Sequence, residues 1–112
     1  MEAAGRNAAL NGIGNVEFIC ADLKDVLKDL IKKQLRAVIC DPSRAGIGSQ
    51  SCSLLGRLKK KTRLCYIFCS KKAFRRDLPV LLSQGFSLKK VTIYDMFPYT
   101  RMQETVAFLE KK

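Results

Sequence analysis

Short apolar runs alternate with stretches of helical periodicity along nearly the whole chain, and this alternation limits the fold more than any other feature of the sequence. Leu23, Val26, Leu27, Leu30 and Ile31 recur at i, i+3, i+4, i+7 and i+8, which lays one apolar stripe along a helix and leaves Lys24, Asp25, Lys28 and Lys32 outside it. Runs that read as strands flank this helix, residues 16–22 (VEFICAD) before it and residues 36–40 (RAVIC) after it. Residues 64–69 (LCYIFC), 88–95 and 105–109 read as three further strands. Helices are expected over 2–11, ending at Asn11-Gly12, over 52–58, and over 72–84 with Pro79 a weak point inside. Such alternation predicts an α/β fold around a mostly parallel sheet. The last two strands are joined by about nine residues with no helix between them, so they are expected to run antiparallel.

A chain of 112 residues, 47% of them hydrophobic, suffices for one domain spanning residues 1–112. No apolar run approaches the length of a membrane span, and Glu2 and Arg6 come after Met1 where a leader would turn apolar, so neither a span nor a signal peptide is expected. Lys and Arg total 21 against 10 Asp and Glu, and the net charge of +11 points to a polyanionic partner, nucleic acid or an acidic membrane surface. The five cysteines form no CxxC pair and there is no histidine, which argues against a metal site. Cys20, Cys40 and Cys65 lie inside strand-like runs as small core hydrophobes, and unpaired thiols suit a reducing, cytoplasmic compartment. Cys69 differs because it ends its run.

In open α/β sheets, ligands bind beyond the carboxyl ends of the strands. Here those ends carry Asp22, Asp41, Cys69 and Asp95. Asp22 reads equally well as the N-cap of the next helix.

Four segments in order, RNAALNGIGNVEFICADL, DPSRAG, YIFCSKKAFRRDL and DMFPYTRMQETVAFL, resemble segments of the tRNA and ribosomal RNA (uracil-5-)-methyltransferase family, the second its DPPRAG loop and the fourth its DMFPHTxHVETVALL segment. The resemblance implies a three-layer, Rossmann-like fold dependent on S-adenosyl-L-methionine, lacking its first βαβ unit at the N-terminus, with the last strand antiparallel. It implies Cys69 as nucleophile, Glu104 as general base, Arg44 as a catalytic-site arginine, and Asp22 and Asp41 as cofactor contacts. The chemistry requires such groups: uracil carbon 5 attacks a methyl donor only after a thiolate adds to carbon 6, and a base must then remove the carbon 5 proton. Lys71, Lys72 and a helix N-terminus just after Cys69 favour a thiolate there. The isolated chain is expected to hold the cofactor weakly, because the glycine-rich loop and ribose-binding acid of the family are absent from it.

The implied partner is RNA, either tRNA or rRNA. Lys71, Lys72, Arg75 and Arg76 flank the nucleophile as phosphate contacts, and Phe97 and Tyr99 are either stacking partners for a flipped base or ordinary core aromatics. Further basic clusters lie at Lys59-Lys60-Lys61-Arg63 and Lys89-Lys90, where solvated faces are the ordinary reading. Ser43 replaces the family's second proline, Phe68 and Ser70-Lys71 replace its residues around the nucleophile, and Tyr99 and Met102 stand where it has histidines. A non-catalytic basic RNA-binding module that retains the fold, or a truncated gene product, is the alternative.

Overall fold

The alternating segments fold in the order read from the sequence, with one exception at residues 16–22. The computed structural model describes residues 1–100 and 103–112. In chain order the elements are α1 (Glu2–Leu10), α2 (Leu23–Leu30), β1 (Ala37–Cys40), α3 (Ser49–Leu55), β2 (Arg63–Phe68), α4 (Lys71–Ser83), β3 (Phe86–Tyr94) and β4 (Glu104–Lys111). Pro79 lies inside α4 without ending it.

The sheet runs β1-β2-β4-β3. β1 and β2 are parallel neighbours, Val38 opposite Leu64, and β4 is antiparallel to β2 and β3. The adjacency of the 36–40 and 64–69 strands and the antiparallel final strand are as expected. A mostly parallel sheet is not what forms, since only one of the three pairings is parallel. The reason is the last connection: β3 returns to β4 without a crossover helix, and β4 inserts between β2 and β3.

The expected strand at 16–22 is absent. No backbone amide of residues 14–22 donates a hydrogen bond among the described residues, and a strand without a neighbour leaves its amides to water. Val16, Phe18 and Ile19 are exposed as a result. So is Cys20, which corrects its reading as a core residue.

Period-two alternation sorts the sheet into two faces. Leu64, Tyr66 and Phe68 of β2 and Ala107 and Leu109 of β4 are buried against Leu27 of α2, Cys52 and Leu55 of α3 and Leu81 of α4. Burying a side chain such as Leu55 or Leu81, each fully enclosed, contributes about 1.5–3 kcal/mol. Phe68 and Phe74 stack with centroids 4.0 Å apart, which ties β2 to α4. The other face is open: Ile39, Cys65 and Phe108 are register partners across three strands, and Ile39 remains 72% exposed. Of the three layers, these residues supply the sheet and one helical layer, and among the described residues α1 does not pack closely against another element.

Candidate active site

Parallel pairing of β1 with β2 sends both carboxyl ends to one edge of the sheet, and antiparallel pairing brings the start of β4 and the end of β3 to the same edge. Phe68 is the last residue of β2 and lies opposite Thr105. Cys69 and Glu104 each lie one residue beyond that pair, and Glu104 in turn faces Tyr94 of β3. Asp41, Cys69, Glu104 and Asp95 therefore share one edge, drawn from four separate strands. The same-edge expectation for Cys69 and Asp41 holds.

Ser70 caps α4, its hydroxyl accepting a hydrogen bond from the Ala73 amide at 3.2 Å, so the Cys69 thiol stands immediately before a capped helix N-terminus. Cys69 is exposed. Cys40 and Cys52 are buried, and burial pushes their thiols up to about 11 and about 12, which keeps them protonated and inert at neutral pH.

The loop after β1 is fastened to α4 by a carboxylate that sequence reasoning did not single out. Asp77 is completely buried. It accepts hydrogen bonds from the Tyr66 hydroxyl at 2.7 Å, the Ile47 amide at 2.8 Å, the Gly48 amide at 3.3 Å, and Arg76 Nε and Nη2 at 2.9 and 2.8 Å. Arg76 Nη2 also donates to the Ala45 carbonyl at 2.7 Å. Burial, then the hydrogen bond to Asp77, raises the Tyr66 hydroxyl well above its ordinary value. Gly46 has φ of +76°, and a Cβ on it would sit 2.6 Å from Asp77 Oδ2 and 2.9 Å from the Tyr66 hydroxyl. The glycine that ends DPSRAG is thus required both by its backbone conformation and by the closeness of this hub. A signal for Asp77 did exist: Ala73, Asp77 and Leu81, spaced i, i+4 and i+8, form the buried stripe of α4.

The hub sets the Arg44 loop against the start of α4. Arg44, Ala45, Ser70, Lys72, Ala73 and Arg76 line one cleft of about 290 Å³. Three of the expected cationic residues, Arg44, Lys72 and Arg76, therefore meet beside Ser70, the neighbour of Cys69. Lys71 and Arg75 are exposed on the same helix. Asp22 caps α2, accepting from the Lys24 amide at 3.1 Å, and its side chain is 58% exposed. Phe97 and Tyr99 are exposed in the turn between β3 and β4, Tyr99 with φ of +68°, so neither is a core aromatic. Met102 lies outside the described residues. No helix is long and apolar enough to cross a membrane among the described residues.

A family model described as tRNA (uracil-5-)-methyltransferase matches residues 1–112. The chain belongs to this family. It is 36% identical over 115 residues to the 23S rRNA (uracil(1939)-C(5))-methyltransferase RlmD of Marinomonas sp., covering 100% of the chain and 25% of that protein. An uncharacterized RNA methyltransferase of Caldanaerobacter subterraneus subsp. tengcongensis is also 36% identical, over 97% of the chain and 24% of its own length. Among solved structures, the Pyrococcus abyssi tRNA (uracil-54, C5)-methyltransferase in complex with S-adenosyl-L-homocysteine superposes with a TM-score of 0.79 at 32% identity, covering 96% of the chain and 25% of that protein. An rRNA methylase from Streptococcus thermophilus, 17% identical with a TM-score of 0.70 over 98% of the chain and 66% of its own, shares the fold. The chain spans about a quarter of the length of the curated relatives it matches. Its α/β architecture is that of the Rossmann-like methyltransferases.

Proposed function

We propose that this edge takes part in S-adenosylmethionine-dependent methylation of uracil carbon 5 in tRNA or rRNA, in the cytoplasm. The observation that supports the reading is that Cys69 and Glu104 each lie one residue beyond the Phe68–Thr105 pair, within a chain matched throughout by a uracil-5-methyltransferase family.

In this reading the Cys69 thiolate adds to carbon 6, forming a C–S bond and moving the double-bond electrons onto carbon 5 and its neighbouring carbonyl oxygen. Arg44 faces that oxygen or an adjacent phosphate and offsets the negative charge. S-adenosylmethionine, when bound, supplies the methyl group that carbon 5 takes. Glu104 then removes the carbon 5 proton, the C–S bond breaks, and the ring double bond and the thiolate return. Lys71, Lys72, Arg75 and Arg76 contact phosphates, while Phe97 and Tyr99 stack on the displaced base.

The residues present fit only part of the methyl donor. Asp41 comes directly after β1 at the shared edge, and Asp22 is exposed but already caps α2. Gly12 and Gly14 come after α1 and face open space, the space at Gly46 is filled by Asp77 and Tyr66, and Gly48, the N-cap of α3, already gives its amide to Asp77. These carboxylates orient the donor weakly by themselves.

Trapping with RNA that contains 5-fluorouridine tests the reading, because fluorine in place of the carbon 5 proton blocks the last step. With saturating S-adenosylmethionine, peptide mapping should find the RNA on Cys69. Attachment to another cysteine, or an undiminished adduct in Cys69→Ala, would contradict it.

A further inference from the structure

The edge of the sheet opposite Cys69 gathers five cations around one concavity. Residues 34–36 lead into β1 and residues 59–63 lead into β2, and the pairing of Ala37 with Arg63 sets these segments side by side. Thr62 Oγ1 donates to the Leu35 carbonyl at 3.1 Å, and the Arg63 amide donates to the Arg36 carbonyl at 3.1 Å. The lysine turn is fastened to the end of β4 as well: the Lys61 amide donates to the Lys111 carbonyl at 2.7 Å, and the Lys111 amide to the Thr62 carbonyl at 2.9 Å. Arg36, Lys59, Lys60, Lys61 and Arg63 thereby line a hollow of about 390 Å³.

All five are exposed, and none joins an ion pair among the described residues. The acid that register brings closest is Glu110, opposite Arg63, and it forms no salt bridge there. Lys61 holds φ of +69°, a conformation in which lysine is uncommon. Solvated lysines on an ordinary surface can spread apart. Here backbone hydrogen bonds hold like charges together, and a bound polyanion relieves the repulsion.

We propose that this edge is a second contact for the RNA phosphate backbone, used together with the cluster beside Cys69; the choice of RNA rests on the function proposed above. β2 separates the two clusters, and six strand residues span about 20 Å. That distance corresponds to several base-pair steps of an A-form duplex, so one RNA stem lying along β2 reaches both edges while its uridine loop meets Cys69. A short single strand occupies only one edge.

Fluorescence anisotropy of the whole chain with two labelled RNAs tests this, one a uridine-loop hairpin spanning both edges and the other a uridine tetranucleotide. The variant combines Lys59→Gln, Lys60→Gln and Lys61→Asn, asparagine being chosen because it tolerates positive φ. It should bind the hairpin about tenfold more weakly, with a salt slope lower by about 2–3, and the tetranucleotide unchanged. Lys71→Gln with Lys72→Gln should weaken both RNAs. If the triple variant melts early, Lys59→Gln with Lys60→Gln, which leaves the strained position intact, should give a smaller loss in the same direction. Hairpin binding with wild-type affinity and slope in the folded variants would overturn the proposal. So would binding to phosphatidylserine vesicles that the variants lose while keeping the hairpin, since that assigns the edge to a membrane surface. A cluster-dependent hairpin affinity without any Cys69 adduct supports this contact and counts only against the catalytic reading.

Discussion

Phe68 lies opposite Thr105 across the β2–β4 ladder, and the next residue along each chain is Cys69 on one side and Glu104 on the other. An antiparallel neighbour is what makes this possible. A parallel β4 would have carried Glu104 to the far edge, beside Arg36 and the lysine turn. Because β4 runs backwards between β2 and β3, its first two residues pair with the last residues of its neighbours, Glu104 with Tyr94 and Thr105 with Phe68. A thiol and a carboxylate distant in sequence are brought to one edge of the sheet through backbone pairing alone.

The Asp77 hub should dominate the stability of this edge. Asp77→Ala takes the acceptor from the Tyr66 hydroxyl and the Gly48 amide and leaves the Ile47 amide only the Tyr66 hydroxyl and Arg76 only the Ala45 carbonyl. A loss of about 3 kcal/mol is expected in urea unfolding, because buried donors lose a charged acceptor that no water replaces. Gly46→Ala should also destabilise, since its Cβ meets Asp77 and Tyr66. Arg75→Ala, on the exposed side of α4, should change stability by about 0.5 kcal/mol or less.

Stability should fall in alkali through two buried thiols. Cys40 and Cys52 are raised from 9.0 to about 11 and about 12 in the fold. Above pH 9 the unfolded chain has released protons that the folded chain still holds. The stabilisation is therefore complete below pH 9 and declines as pH rises toward 11 and 12, by at most about 1.4 kcal/mol per pH unit per thiol. Urea unfolding at successive pH values should show this decline, and Cys52→Ala should make it shallower. A flat profile would mean that these thiols titrate alike in both states.

Residues 14–22 should exchange their amide hydrogens at nearly the rate of an unstructured peptide, because none of those amides donates a hydrogen bond among the described residues. The amides of β2 and β4 should be protected to near the global unfolding free energy. Hydrogen exchange read by mass spectrometry checks both. Strong protection of 16–20 would indicate a strand partner in solution.

Calorimetry should find S-adenosylmethionine bound with a dissociation constant of about a millimolar or weaker. Asp22 and Asp41 are exposed carboxylates, one of them engaged as a helix cap, and so they supply few oriented contacts. Micromolar binding would show that the chain holds a more complete cofactor site than these two residues provide.

The shared edge was legible because its signals are local. LCYIFC is a short continuous apolar run that Cys69 ends, and ETVAFL is another that runs on from Glu104, so the shared edge needed only the right strand directions. The segment VEFIC carries an equally good strand signal and does not form one, since β-propensity acts only where a neighbour completes the ladder. Asp77 escaped notice because a charge in an amphipathic helix usually faces water. Its partners, Tyr66, Ile47 and Gly48, lie on β2 and on the loop between β1 and α3, and only the tertiary fold assembles them. The lysine turn looked like an ordinary solvated run until pairing with β1 added Arg36 to it.

Hydrogen exchange at uracil carbon 5 tests the reactive edge most directly, because reversible addition of a thiolate to carbon 6 loosens that hydrogen without a methyl donor. Incubation of the chain with RNA carrying 5-deuterated uridine should replace deuterium by solvent hydrogen. The exchange should vanish in Cys69→Ala and fall at least about a hundredfold in Glu104→Gln, the contribution typical of a general base. Washout that persists in Cys69→Ala, or that is absent from the folded, RNA-bound wild-type chain, would contradict the assignment of Cys69 as the nucleophile.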